Sequence, residues 1–123
     1  GLLPPGLSLA QAYPARPIRV IVPVAVGGAT DIVARIAANR LSQVLQQQLV
    51  IDNRSGAGGI IGTELVARAA PDGHTMVLAV SGIAINAHLL KLPYDTVTAF
   101  APVTAVSYPV ATLLAAPSLP ASS

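Results

Sequence analysis

From position 18 to 22 the chain reads Ile-Arg-Val-Ile-Val, apolar at every position but Arg19, and Pro23 follows. β-Branched residues packed this densely favour extended backbone, and a proline cannot donate to a sheet ladder, so a short buried strand is predicted to end here. After a loop containing Gly27-Gly28, apolar residues recur at Ile32, Val33, Ile36, Ala37, Leu41, Val44 and Leu45. That spacing predicts a helix beginning at Ala29 or Thr30 with these residues as its apolar stripe, and Asp31 falls in the first turn, where the macrodipole favours an acid. Leu49 to Ile51 reads as a second strand, Asn53 to Gly59 as a glycine-rich loop, and Ile60 to Ala70 as a second helix stopped by Pro71. Asp72-Gly73 predicts a tight turn, and Thr75 to Val80 a third strand whose nearly continuous apolar run suits burial on both faces. A short helix is expected from about Ile83 to Leu90, then a loop at Leu92-Pro93-Tyr94-Asp95 and two β-rich segments, Ala101 to Tyr108 and Val110 to Ala115. Pro117 to Ser123 shows no closing element.

Strand, helix, strand, helix, strand with short connections predicts an α/β unit with a mostly parallel sheet, right-handed crossovers and helices on both faces. In such sheets ligands bind outside the carboxyl ends of the strands. Three loops leave those ends: Val24 to Asp31, Asn53 to Gly59, and Ser81-Gly82. Glycine lets backbone approach a ligand, and the unpaired amides of a helix N-terminus carry partial positive charge, so a carboxylate is the natural guest. Gly28 is expected to need unusual dihedrals and to sit close to that guest. Taken singly, each glycine serves equally well in a tight turn; three glycine loops at one edge favour a ligand site.

Composition narrows the classes. The 123 residues suffice for one ordinary domain, and 53% hydrophobic content with 10% charged residues excludes disorder. The net charge is +2, with basic residues scattered singly from Arg16 to Lys91, so no stripe for nucleic acid exists. With no cysteine, disulfide frameworks, thiolate metal sites and thiol nucleophiles are excluded together. Leu2, Leu3, Leu7, Leu9 and Ala10 form a short apolar stretch ending in Ala10-Gln11-Ala12, an A-x-A cleavage pattern. Residues 1–12 are therefore expected to be the remnant of a signal peptide, with a mature start at Tyr13 and a periplasmic destination. The stretch is too short to span a membrane and is broken by Pro4, Pro5 and Gly6.

Other chemistry has little support in the sequence. Gly56, Gly58 and Gly62 resemble a variant dinucleotide fingerprint, which keeps a nucleotide-dependent α/β enzyme as an alternative. The pattern follows the second strand, although such a fingerprint belongs after the first, and no acid stands where a ribose would be held. His74, in the Asp72-Gly73 turn, and His88, on the short helix, have no spacing for a metal pair or triad and read as surface or capping residues. Ser81 lacks the first glycine of a nucleophile elbow, since Ala79 stands there. Asp31, Asp52 and Glu64 are dispersed and suit helix dipole, loop hydrogen bonding and a solvated face. No catalytic residue, metal or cofactor is expected.

The motifs together carry a resemblance. Tyr13-Pro14, Pro17-Ile18-Arg19 and Val22-Pro23 are followed by Gly27-Gly28-Ala29-Thr30-Asp31-Ile32-Val33-Ala34-Arg35, then by Asn53-Arg54 with Gly56-Ala57-Gly58-Gly59 and Gly62. Ala70-Pro71-Asp72-Gly73, Ser81-Gly82, Ala84-Ile85-Asn86, Lys91-Leu92-Pro93-Tyr94-Asp95 and Phe100-Ala101-Pro102-Val103 complete the series. In order and spacing this resembles the Bug-type periplasmic receptors of tripartite tricarboxylate transporters. The resemblance implies a two-lobed Venus-flytrap binding protein that captures a small organic carboxylate and delivers it to a membrane permease without chemistry. Residues 13–110 would belong to the first lobe and 111–123 to the crossover into the second; a fragment of this length would be inactive alone. Matched residue by residue, the ligand would meet Gly27, Gly28, Ala29, Thr30, Ser81, Gly82 and Asn86. The chain departs from the family pattern at Val24-Ala25-Val26, where an aromatic and prolines are usual, and at Ser55, Ile60 and Ala87.

Overall fold

A computed structural model describes residues 12–110 together with 112, 114, 116 and 117. All but the last residue of the expected leader at 1–12, and most of the expected crossover at 111–123, lie outside the described residues. Among the described residues three strands and three helices alternate: β1 (Ile18–Val22), α1 (Ala29–Leu45), β2 (Leu49–Asn53), α2 (Ile60–Ala67), β3 (Thr75–Val77) and α3 (Gly82–Leu89), with one 3₁₀ turn at Ala57–Gly59 before α2.

The sheet order is β2-β1-β3, with both pairings parallel. Val20 lies opposite Ile51 on one side and Met76 on the other. β1 is central and the most buried of the three strands: Ile18, Ile21 and Val22 are buried, each contributing about 1.5–3 kcal/mol. The chain steps from β1 to β2, then back across β1 to β3. With right-handed connections this reversal sends α1 and α2 to opposite faces and creates a switch point at the carboxyl ends of β1 and β3.

α1 has the predicted span but buries a different face. Asp31, Ala34 and Ala38 are its buried residues, whereas Ile32, Ile36, Leu41 and Val44 are exposed, Ile36 at 67%. Small residues at 34 and 38 let the helix lie close to β1 and β2, and turning that stripe inward turns the larger one outward. The helix closes at Gln46, whose φ of 52° is left-handed, and the Ser42 hydroxyl then accepts the Leu49 N–H at 2.9 Å. α2 ends at Ala67, short of the predicted Ala70. It packs against β1 at Gly62, where a Cβ would stand 2.6 Å from the Arg54 carbonyl oxygen and 3.0 Å from Pro23 Cβ.

Three further expectations are corrected. β3 stops at Val77, short of the predicted Val80, and its residues are half-buried rather than covered on both faces. Residues 101–110 form no strand: Val103, Tyr108 and Val110 are all exposed, and no described strand pairs with the segment, so its β-rich pattern lacks a ladder to join. His74 is no surface residue, since its side chain is 10% exposed and packs edge-on against Tyr13 with ring centroids 5.1 Å apart. The Tyr13 hydroxyl donates to the Gly73 carbonyl and Arg16 pairs with Asp72, each at 2.7 Å, which ties the N-terminal segment to the turn before β3. Among the described residues no helix is long and apolar enough to cross a membrane, and no His, Asp or Glu cluster suits a metal.

Candidate functional site

The loop after β1 is shaped by one buried carboxylate. Asp31, 2% exposed, accepts the Gly27 N–H at 2.9 Å and Arg35 Nε at 3.0 Å on Oδ2, and Asn53 Nδ2 at 2.9 Å on Oδ1. The Arg35 bond, then the Gly27 amide and Asn53, hold its pKa down at about 2 from an ordinary 3.8. Asn53, the last residue of β2, also donates to the Val24 carbonyl at 3.2 Å and accepts Arg35 Nη2 at 3.1 Å. Asp31 therefore does more than complement the helix dipole, and sequence reasoning did not anticipate Asn53 as its partner.

Gly27 bends the loop with φ +88°, a conformation that an L side chain rarely adopts. The unusual dihedral expected of Gly28 falls instead on Gly27; Gly28 is extended at φ −75°, ψ 168°, and caps α1 without a side chain. The Gly27 amide is engaged by Asp31. Among the described residues the N–H groups of Gly28, Ala29 and Thr30 have no protein acceptor, as the first turn of a helix leaves them. Gly28 and Ala29 are exposed and Thr30 half-buried, so these amides can donate to an anion from outside.

The loop after β2 is the common neighbour of the other two. Asn53 reaches the first loop, and Gly59 sits where a Cβ would be 3.5 Å from Pro23. On its other side the Asn86 amide donates to the Gly58 carbonyl at 3.1 Å, and a Cβ on Gly82 would lie 3.5 Å from that oxygen. Ser81 is exposed and precedes α3, its hydroxyl making no capping bond. Gly27 to Thr30 and Ser81, Gly82 and Asn86 thus join one connected rim at the carboxyl edge of the sheet, through residues absent from the sequence-derived set. A concavity of about 570 Å³ between α3 and the following loop, lined by Ala84, His88, Leu92, Tyr94 and Val97 among others, contains none of them. The glycines that suggested a nucleotide fingerprint serve the backbone: Gly56 and Gly58 hold positive φ, at 130° and 64°, Gly62 admits the Arg54 carbonyl, and their loop follows the edge strand β2, although such a fingerprint belongs after the first strand.

Two further carboxylates, Asp52 and Glu64, pair with arginines of the fold. Asp52 accepts from Arg19, and from Arg54 at 2.9 Å, and Arg19 chiefly holds its pKa below the usual range. Glu64 pairs with Arg68 one turn along α2 at 2.7 Å.

Comparison with known proteins agrees with this architecture. BugT of Bordetella pertussis (strain Tohama I) is 44% identical over 100 residues, covering 79% of this chain and 31% of its own length. The solved structure of MatC (Rpa3494) from Rhodopseudomonas palustris with bound malate matches 74% of this chain and 32% of that one, at 41% identity and a TM-score of 0.65. That of R. palustris Rpa4515 with adipate matches 58% of this chain and 24% of that one, at 44% identity and a TM-score of 0.57. The matches span only about a quarter to a third of the length of these relatives. Residues 33–123 match the model of the tripartite tricarboxylate transporter family receptor, TctC. The chain, with its parallel sheet and its glycine-lined carboxyl edge, belongs to that receptor family.

Proposed function

We propose that the full-length protein is an extracytoplasmic receptor that captures a small organic carboxylate and passes it to the membrane permease of a tripartite tricarboxylate-type transporter, performing no catalysis. Residues 13–110 belong to the first lobe, and the ligand meets the rim formed by Gly28, Ala29, Thr30, Ser81 and Gly82, with Gly27 and Asn86 behind it. The observation that carries the reading is the set of acceptor-free amides at the start of α1, beside the switch point, in a chain whose relatives hold malate and adipate. Helix-terminal amides suit a carboxylate because they supply directed donors and partial positive charge without a counter-ion.

Calorimetric titration of the full-length protein with malate, adipate and citrate tests it, with a nicotinamide dinucleotide as the contrasting ligand. One of the carboxylates should bind and the dinucleotide should give no heat. Silence across the carboxylates, or dinucleotide binding, would overturn the reading. Export is checked by mass spectrometry of the protein expressed with its natural leader, which should yield a mature N-terminus at Tyr13.

A further inference from the structure

Asp31 sits where an anion receptor would be expected to avoid a negative charge. It lies in the first turn of α1, next to the amides of Gly28, Ala29 and Thr30, and yet it is buried rather than solvated. A helix dipole alone asks only for an exposed acid in this turn. Burial of a carboxylate is tolerated only when its lone pairs are satisfied, and here three donors from three segments converge on it: Gly27 of the loop, Arg35 one turn further along α1, and Asn53 of β2. Asn53 extends the same network to the Val24 carbonyl at the start of the loop, and Arg35 closes it by bonding to both Asp31 and Asn53. Both ends of the loop after β1 are thereby pinned to the end of β2, while Arg35 neutralises the charge that would otherwise repel a ligand.

We infer that Asp31 is a positioning residue for carboxylate capture, which with Asn53 and Arg35 fixes the Val24–Gly27 loop so that the amides of Gly28, Ala29 and Thr30 stay free for the ligand. This rests on the receptor reading above. It assigns a shape to the loop that the residues Val24, Ala25 and Val26, with no proline among them, do not impose themselves. It also makes a prediction opposite in sign to that of charge alone. Removing a negative charge beside a bound anion should tighten binding by Coulomb attraction. Loss of the positioning network should weaken it, because an asparagine at 31 has one acceptor oxygen for three donors and sets its own amide hydrogens against one of them.

The test is titration of the full-length wild-type protein, Asp31→Asn and Asn53→Ala with malate and adipate, together with amide hydrogen exchange without ligand. Both variants should bind the wild-type ligand about tenfold more weakly or worse, the loss of one charge-assisted bond, although only Asp31→Asn changes charge. Exchange at Gly27 and its neighbours should speed up while the β1 amides, at Ile21 for example, stay protected. Binding by Asp31→Asn as tight as wild type or tighter, with β1 still protected, overturns the positioning role and leaves the receptor reading standing. Should Asp31→Asn lose β1 protection, Asn53→Ala decides by the same criterion. If the wild-type protein binds neither probe nor any other carboxylate, the receptor reading falls, and this inference with it.

Discussion

The Asn86 side-chain amide donates to the Gly58 carbonyl at 3.1 Å, joining residues 28 positions apart and holding α3 against the loop that follows β2. The bond gives Asn86 a structural task at the rim, whatever it does toward a ligand. Asn86→Ala is expected to lower stability by about 0.5–1.5 kcal/mol, the usual net worth of one neutral hydrogen bond. Urea denaturation of the full-length protein measures it; unchanged stability with weakened ligand binding would place Asn86 on the ligand instead.

Gly62 and Gly28 should respond in opposite ways to an added side chain. At Gly62 a Cβ would meet the Arg54 carbonyl at 2.6 Å, Pro23 at 3.0 Å and Ile21 at 3.2 Å, so α2 must move away from β1. Gly62→Ala is expected to destabilise by about 1–3 kcal/mol. At Gly28 a Cβ would meet only the Ala25 carbonyl, at 3.8 Å, in an extended backbone that any residue adopts. Gly28→Ser, which adds an N-cap hydroxyl, should stay within about 0.5 kcal/mol of wild type in the same denaturation experiment.

Gly27→Ala separates backbone strain from crowding. Nothing lies within 4 Å of the added methyl, but the φ of +88° is hostile to an L residue. A loss of about 1–2 kcal/mol is expected from strain alone. A thermal melt of the full-length variant checks it: a wild-type transition would mean that the loop relaxes to a negative φ.

Acid should weaken the fold through its carboxylates. Asp31 has a folded pKa of about 2 against an ordinary 3.8, so between those values the unfolded chain binds more protons than the folded one and stability rises with pH. Its contribution is complete above the unfolded value and is lost as pH falls through the folded one. Asp52, Asp72 and Asp95 are lowered too and act in the same sense: Arg19 leads for Asp52, the His74 N–H for Asp72 and the Thr98 N–H for Asp95. Urea midpoints measured from about pH 5 to pH 2 should fall steadily in the wild type and less steeply in Asp31→Asn. Equal slopes would show that Asp31 is not held ionised by its network.

The sequence by itself determined the order of elements from β1 to α3 and the edge at which the glycine loops gather. Ile18 to Val22 read as a buried strand, Pro23 ended it, and glycines after β1 and β2 marked the turns, because each of these signals acts through local backbone preference. Tertiary structure alone decided which stripe of α1 faces the sheet. Helical periodicity ranks residues by apolarity and so pointed to Ile32 and Ile36, whereas close packing selected Ala34 and Ala38 and buried Asp31 with them. That burial needs Asn53, which is 22 residues away and is brought beside Asp31 only when β2 pairs with β1. Residues 101–110 show the same dependence from the other side: a β-rich pattern becomes a strand only where another strand stands ready to accept its hydrogen bonds.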